Sequence, residues 1–272
     1  MKPLVALCFL LSLAGCNGSA PESASRPTVL VTLAPVAFLV QQIAGDRLDV
    51  VTMVGANQNA EHYQPQPRQL ADADRAAIYF SLGMPFESVW LPKLTGLLPD
   101  VKIVTLHPAG DDGDPHRWTD PQQAIVMSDI IHAELVQLLP AARARLDENH
   151  AILVASLTAL DNSISLLMAE QERRRFLVYH PAWSHFAARY GLQQVAVEHD
   201  GKEPGARSLA GLRELVATGG GRFMLVQPQS SAEHARRFAA DLGVELVTVD
   251  PLNGDYINNL RQAAQAIAGV LW

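Results

Sequence analysis

The chain has 272 residues, 49% of them hydrophobic and 18% charged, which suffices for a substantial core in one large domain or two modest lobes. Its formal charge of −7, with basic residues scattered along it, excludes a nucleic-acid-tracking surface; the densest basic run, "ERRRF" at 172–176, reads as a solvated helix end. Both cysteines, Cys8 and Cys16, lie near the start, so any metal further along must be held by His, Asp or Glu.

Residues 1–15 read as a signal peptide: Lys2 precedes an uncharged apolar stretch too short to span a bilayer. The stretch ends in Leu13-Ala14-Gly15-Cys16, which resembles the lipobox of bacterial lipoproteins. That resemblance implies cleavage before Cys16 and acylation of its thiol, which would tie the protein to a membrane. Residues 16–27 then read as the lipidated cysteine and a flexible, small-residue tether.

From Thr28 strands and helices alternate. "TVLVTL" (28–33) reads as a buried strand, and "PVAFLVQQIAG" (35–45) as a helix opening at Pro35 and closing at Gly45. "LDVVTMV" (48–54) is a strand, "PRQLADAD" (67–74) a short helix and "AAIYFSLG" (76–83) a strand. "FESVWLPKL" (86–94) is helical, with Pro92 expected to end or kink it, and "VKIVTL" (101–106) is the fourth strand. Strand signals then cease, and residues 141–175 hold apolar positions at helical spacing for about nine turns. The alternation resumes with strands at 176–180, 193–198, 222–227 and 244–250 and helices at 183–191, 209–219, 232–243 and 255–271. This pattern predicts an α/β protein of two similar lobes, 28–140 and 176–272, each with a mostly parallel four-stranded sheet and its own core. One long rigid helix, 141–175, joins them.

Nine histidines are distributed along this frame. His132, His150, His185 and His234 fall inside helices and read as surface or packing residues. His107 and His199 follow strands, and each is a candidate rim contact for a weak secondary site. His62, His116 and His180 lie in loops leaving strands, where open α/β sheets bind ligands. Prolines stiffen all three settings, "AEHYQPQP", "DPHRWTDP" and "FLVYHP", and Asp250 ends the strand "VELVTVD" before Pro251. These four residues are too far apart in sequence for any local loop to gather them. Only a folded two-lobe chain could, with a metal in the cleft between lobes.

"AEHYQPQPRQLADAD", "DPHRWTDP", "YHPAWSHFAARYGL" and "LVTVDPLNGDYINNL", in this order, resemble the zinc/manganese-binding lipoproteins of bacterial metal ABC importers. The resemblance covers Thr28 to Leu271. It implies two α/β lobes joined by a rigid helix, with metal ligands His62, His116, His180 and Asp250. Glu61 is the alternative fourth ligand; consecutive side chains of an extended segment diverge, which favours Asp250 over Glu61. Two departures stand out. The stretch "HPAGDDGDP" (107–115) is far shorter than the His- and acid-rich loop of many zinc-dedicated members. Manganese-selective members carry a carboxylate where this chain has His180, so Zn2+ is favoured over Mn2+.

The expected function is a high-affinity extracytoplasmic zinc receptor, a monomer in the periplasm or on the cell surface, that hands its ion to an ABC importer permease. A manganese or iron receptor of the same class and a surface adhesin with a metal site are the alternatives. A zinc hydrolase would need a vacant coordination position and a general base, and no HExxH motif is present.

Overall fold

The computed structural model of the chain describes residues 26–66, 69, 73–97, 99–107, 113–199 and 201–272. The signal peptide, Cys16, nearly all of the tether and most of the helix expected at 67–74 lie outside them. The first lobe contains β1 (Thr28–Val31), α1 (Ala34–Ala44), β2 (Asp49–Thr52), β3 (Ala76–Ser81), α2 (Pro85–Leu97) and β4 (Lys102–Thr105). Its strands pair in parallel in the order β2-β1-β3-β4. Two helices follow, α3 (Pro121–Leu138) and the long α4 (Arg143–Ala169). The second lobe then runs β5 (Arg175–Val178), α5 (Ser184–Arg189), β6 (Gln193–Ala196), α6 (Ala206–Gly219), β7 (Phe223–Val226), α7 (Ala232–Leu242), β8 (Glu245–Thr248) and α8 (Tyr256–Val270). Its sheet repeats the first, in the order β6-β5-β7-β8 and again parallel.

The strands are short apolar runs because helices cover the sheets: Val29, Leu30 and Val31 in β1, and Phe176, Leu177 and Val178 in β5, are buried. In both sheets the strand order reverses beside the first strand, after β1 and β3 in one lobe and after β5 and β7 in the other. Such reversals open the crevices in which α/β proteins hold ligands.

At 27 residues, α4 is about 40 Å long. It buries Leu146, Leu153, Leu157, Leu160, Ile164 and Met168 along one stripe. The two lobes do not carry separate cores. One apolar cluster runs from Val29 through α4 to Leu271, because α1, α3 and the returning α8 all pack on α4. A second, smaller cluster covers the other face of the second sheet, around Leu177, Met224 and Phe238. Of the two effects expected of Pro92, ending the helix is not observed. The helix continues through it to Leu97, so the proline costs α2 one internal hydrogen bond without ending it.

One charged residue interrupts the apolar stripe of α4. The Asp161 carboxylate is buried and accepts four hydrogen bonds: Arg189 Nε at 3.0 Å, Arg189 Nη2 at 2.6 Å, Tyr190 Oη at 2.9 Å and Gln122 Nε2 at 2.9 Å. Gln122 belongs to α3, whereas Arg189 and Tyr190 end α5, so this group joins both lobes to the connecting helix. Burial works against ionisation of Asp161, but the Arg189, Gln122 and Tyr190 donors outweigh it and hold the carboxyl below its ordinary value. Its folded pKa is thus depressed, so its stabilisation is complete at neutral pH and drains away as pH falls below about 4. Asp161→Asn should cost about 1–3 kcal/mol in chemical denaturation at pH 7. The gap between variant and parent should shrink as pH drops through that window.

Candidate metal centre

The loops leaving β2, β4 and β5 converge between the lobes. His180 lies two residues beyond β5, at the strand-order reversal, and is 8% exposed. His116 precedes a single 3-10 turn (Arg117–Thr119) that leads into α3, and is 6% exposed. The two acids of "DPHRWTDP" divide the local work. Asp120 caps α3 by accepting from the Gln122 amide at 2.8 Å, and Pro121 sits where its missing N–H is harmless. Asp114 accepts from the His116 amide at 3.0 Å and lies 2.7 Å from His116 Nδ1.

Three candidate ligands come together: Glu61, His116 and His180 offer atoms that all lie within 4.8 Å of one another. His116 Nε2 is 3.3 Å from His180 Nε2, and His180 Nε2 is 3.4 Å from Glu61 Oε1. Ligands at zinc bonding distance on a tetrahedron stand about 3.3–3.4 Å apart along each edge, so these spacings fit such an ion.

Each imidazole is turned by an acid behind it. Asp114 holds Nδ1 of His116, and Glu198 Oε1 lies 3.3 Å from Nδ1 of His180. A proton kept on Nδ1 leaves the Nε2 lone pair facing the centre. Strand register places Glu198 there. Val178 pairs with Ala196, so the positions two residues beyond them, His180 and Glu198, sit side by side. Burial resists ionisation of Asp114, yet the hydrogen bonds and charge of His116, with the charge of His185, bring its pKa down to about 2. The sequence reading did not single out Asp114 or Glu198 as participants. An acid two residues before a loop histidine, and another ending the neighbouring strand, were the signals available. His185, expected to be a surface or packing residue, reaches across the cleft to the Asp114 carbonyl at 3.0 Å.

Two candidates lie outside the group. Asp250 follows β8, two strands away from β5, and is not part of that group. Its Oδ1 instead accepts from the Leu252 amide at 2.9 Å and from Gln229 Nε2 at 3.0 Å. Gln229 also donates to the Ala56 carbonyl of the first lobe at 2.7 Å, so Asp250 anchors a strap between lobes. Nearby, Trp118 Nε1 donates to the Pro251 carbonyl at 2.8 Å, and the Tyr256 hydroxyl donates to the Trp118 carbonyl.

His62 is exposed and lines a cavity of ≈ 340 Å³ together with His180, Glu198 and Gly201. The expectation that Glu61 and His62 diverge is corrected by the local backbone. Asn59 Oδ1 accepts from the Glu61 amide at 2.8 Å, bending the segment. Both side chains then approach the same point of the second lobe. A Cβ placed on Gly201 would lie 3.1 Å from His62 Nε2 and 3.8 Å from Glu61 Oε2. Gly201 has φ +69°, a conformation glycine adopts without strain, in the turn closed by His199 and Lys202. His107 rests against Gly83. His234 Nδ1 pairs with Glu203 at 2.9 Å at the cavity rim.

Two parallel-sheet α/β lobes with an imidazole–carboxylate cluster between them are the architecture of a binding protein whose cleft could hold a metal cation. Residues 29–270 match the family described as zinc-uptake complex component A, periplasmic (ZnuA), and the chain belongs to that family. It is 27% identical to the zinc-binding lipoprotein AdcA of Streptococcus pneumoniae serotype 4, over 92% of this chain and 54% of the relative. It is 24% identical to the high-affinity zinc uptake system protein ZnuA of Bacillus subtilis, over 92% of this chain and 88% of the relative. The chain spans about half the length of the AdcA relatives it matches. A ZnuA crystal structure superimposes with a TM-score of 0.85 at 29% identity, covering 90% of this chain and 99% of that one. A zinc-bound ZnuA deletion mutant gives 0.85 at 29%, covering 91% and 98%.

Removing an orienting acid should weaken the centre without dismantling it. Asp114→Asn and Glu198→Gln should each lower zinc affinity about 10–100-fold in competition with a chelating dye. Unchanged affinity in both would mean that the imidazoles are oriented by other groups.

Proposed function

We propose that this protein captures Zn2+ outside the cytoplasm and delivers it to the permease of an ABC importer, held at a membrane by lipid on Cys16. The observation that carries the reading is the 3.3 Å approach of His116 Nε2 and His180 Nε2 from opposite lobes, each with an acid on its other nitrogen. Family membership and the zinc-binding names of AdcA and ZnuA support it. The role is that of a carrier, with no reaction assigned to the chain. Imidazole-rich ligation favours zinc over manganese, which prefers oxygen donors.

In this reading His116, His180 and Glu61 hold the ion, and His62 turns in from the adjoining cavity as the fourth ligand. Asp250 keeps its place in the Gln229 strap. This reverses the ranking that the resemblance and the extended-segment argument suggested, and it is testable directly. His116→Ala and His180→Ala should each lose at least about 100-fold in zinc affinity, near 2.7 kcal/mol. Glu61→Ala should lose at least about tenfold more than Asp250→Ala, or roughly 1.4 kcal/mol. The opposite order by calorimetric titration would put Asp250 into the coordination shell.

The metal should add stability without being required for folding, because the core across α4 contains none of the proposed ligands. Chelator-treated protein should still melt cooperatively. Free zinc at 100 times Kd should add about 2.7 kcal/mol, equivalent to an upward Tm shift of roughly 5–10 °C. A metal-stripped protein without a cooperative transition would contradict this.

A further inference from the structure

The short helix α5 belongs to the second lobe, and its two ends are tied to different elements. At its start, the side-chain amide of Gln194 on β6 accepts from the Trp183 backbone amide and donates to Ser184 Oγ, both at 2.8 Å. At its end, Arg189 is bound to Asp161 of α4. His185 and Arg189 are four residues apart and share one helix face. From that face His185 Nε2 reaches the Asp114 backbone carbonyl at 3.0 Å and stands 3.9 Å from Asp114 Oδ2. A carbonyl oxygen only accepts, so Nε2 of His185 carries a hydrogen and donates it. That nitrogen is engaged, and His185 stands apart from the group of Glu61, His116 and His180.

What His185 grips is the acid behind His116. Asp114 Oδ1 accepts from the His116 amide and lies against Nδ1, so the direction of that carboxylate sets the ring. The residue before Asp114 is Gly113, at φ +85°, whose wide conformational range gives little restraint from that side. We propose that His185 is a positioning residue of the metal centre, fixing Asp114 from the opposite lobe and through it the ring of His116. The inference rests on the zinc reading above. Its consequence is that the first lobe's imidazole takes its orientation from the second lobe, whereas His180 takes its own from Glu198 of the same lobe. The centre is then at full strength only with α5 seated against the turn that carries Asp114 and His116.

The test is zinc affinity, by competition with a chelating dye, of the metal-stripped full chain carrying His185→Phe alone or combined with Asp114→Ala or Glu198→Gln. Alone, and beside Glu198→Gln, His185→Phe should lower affinity about tenfold, the lower end of what partners behind a ligand contribute. Beside Asp114→Ala no carboxylate is left to orient, so the further loss should be less than about twofold. His185→Gln, which keeps an N–H donor, should lose less than His185→Phe. A merely structural role would lower affinity equally in all three backgrounds. Equal losses, no loss in any background, or a glutamine variant no better than the phenylalanine one would each overturn the proposal. So would nitrogen NMR of the parent showing His185 Nε2 without a hydrogen, a measurement that depends on no variant folding. If His116→Ala abolishes binding while these effects are absent, the positioning role alone fails; if His116→Ala leaves binding unchanged, the zinc reading beneath it fails.

Discussion

The Asp161 carboxylate fixes the relation between the lobes on which the metal centre depends. It is a buried anion in an otherwise apolar stripe, satisfied by donors from α3 on one side and the end of α5 on the other. A buried charge left unpaired is costly, so any rotation of one lobe about α4 that strips away Arg189 or Gln122 is opposed. His116 begins the turn that leads into α3, and His180 lies two residues beyond β5, the strand that precedes α5. Holding those two helices to one point of α4 therefore sets how closely the imidazoles approach. The shared core along α4 adds an apolar term to the same constraint.

Given that frame, the centre is prepared before any ion arrives. Two Nε2 atoms and one carboxylate oxygen stand at spacings suited to a tetrahedral cation, and the opposite faces of both rings are pinned by Asp114 and Glu198. Three acids around two largely buried imidazoles also make the cleft favourable for a divalent cation. The orienting acids come from different structural sources. Asp114 is local to His116, two residues earlier in the same stiff turn. Glu198 reaches His180 only through the register of neighbouring parallel strands.

That contrast explains what was legible in the sequence. Apolar runs and helix stops marked all eight described strands and most described helices to within a few residues, because each reports a local preference; α3 (Pro121–Leu138) was not assigned, and the helix expected at 141–175 ends at Ala169. His116 and His180 stood out because prolines and strand ends signal a loop at the crevice. The proposed ranking of Glu61 above Asp250 draws on two facts that no local pattern carries. One is the Asn59 side chain, which bends the segment so that Glu61 and His62 approach the same glycine. The other is the strand order, which puts Asp250 two strands from His180 and hands its carboxylate to Gln229. His185 read as a surface or packing residue for a similar reason. Its partner Asp114 lies on the opposite lobe, and periodicity within one helix does not reveal a contact between lobes. Separate lobe cores were expected because a sequence does not tell which helix returns; α8 does, and it closes the first lobe and the second around α4.

The same geometry constrains how an ion would leave. Swinging the lobes apart would break the Asp161 network, the Trp118–Pro251 hydrogen bond and the Gln229 strap, and would expose part of the core shared along α4. Each of these hydrogen bonds, and the apolar area buried along α4, opposes such an opening. The turn closed by His199 and Lys202 is held differently. It is linked by two backbone hydrogen bonds, carries Gly201 against His62 and Glu61, and borders the cavity open to His180. Displacing it uncovers Glu61 and His62 while leaving His116, His180 and their acids in place. Of these two openings, the one past His62, into the cavity it lines with His180 and Glu198, disturbs fewer of the contacts that join the lobes.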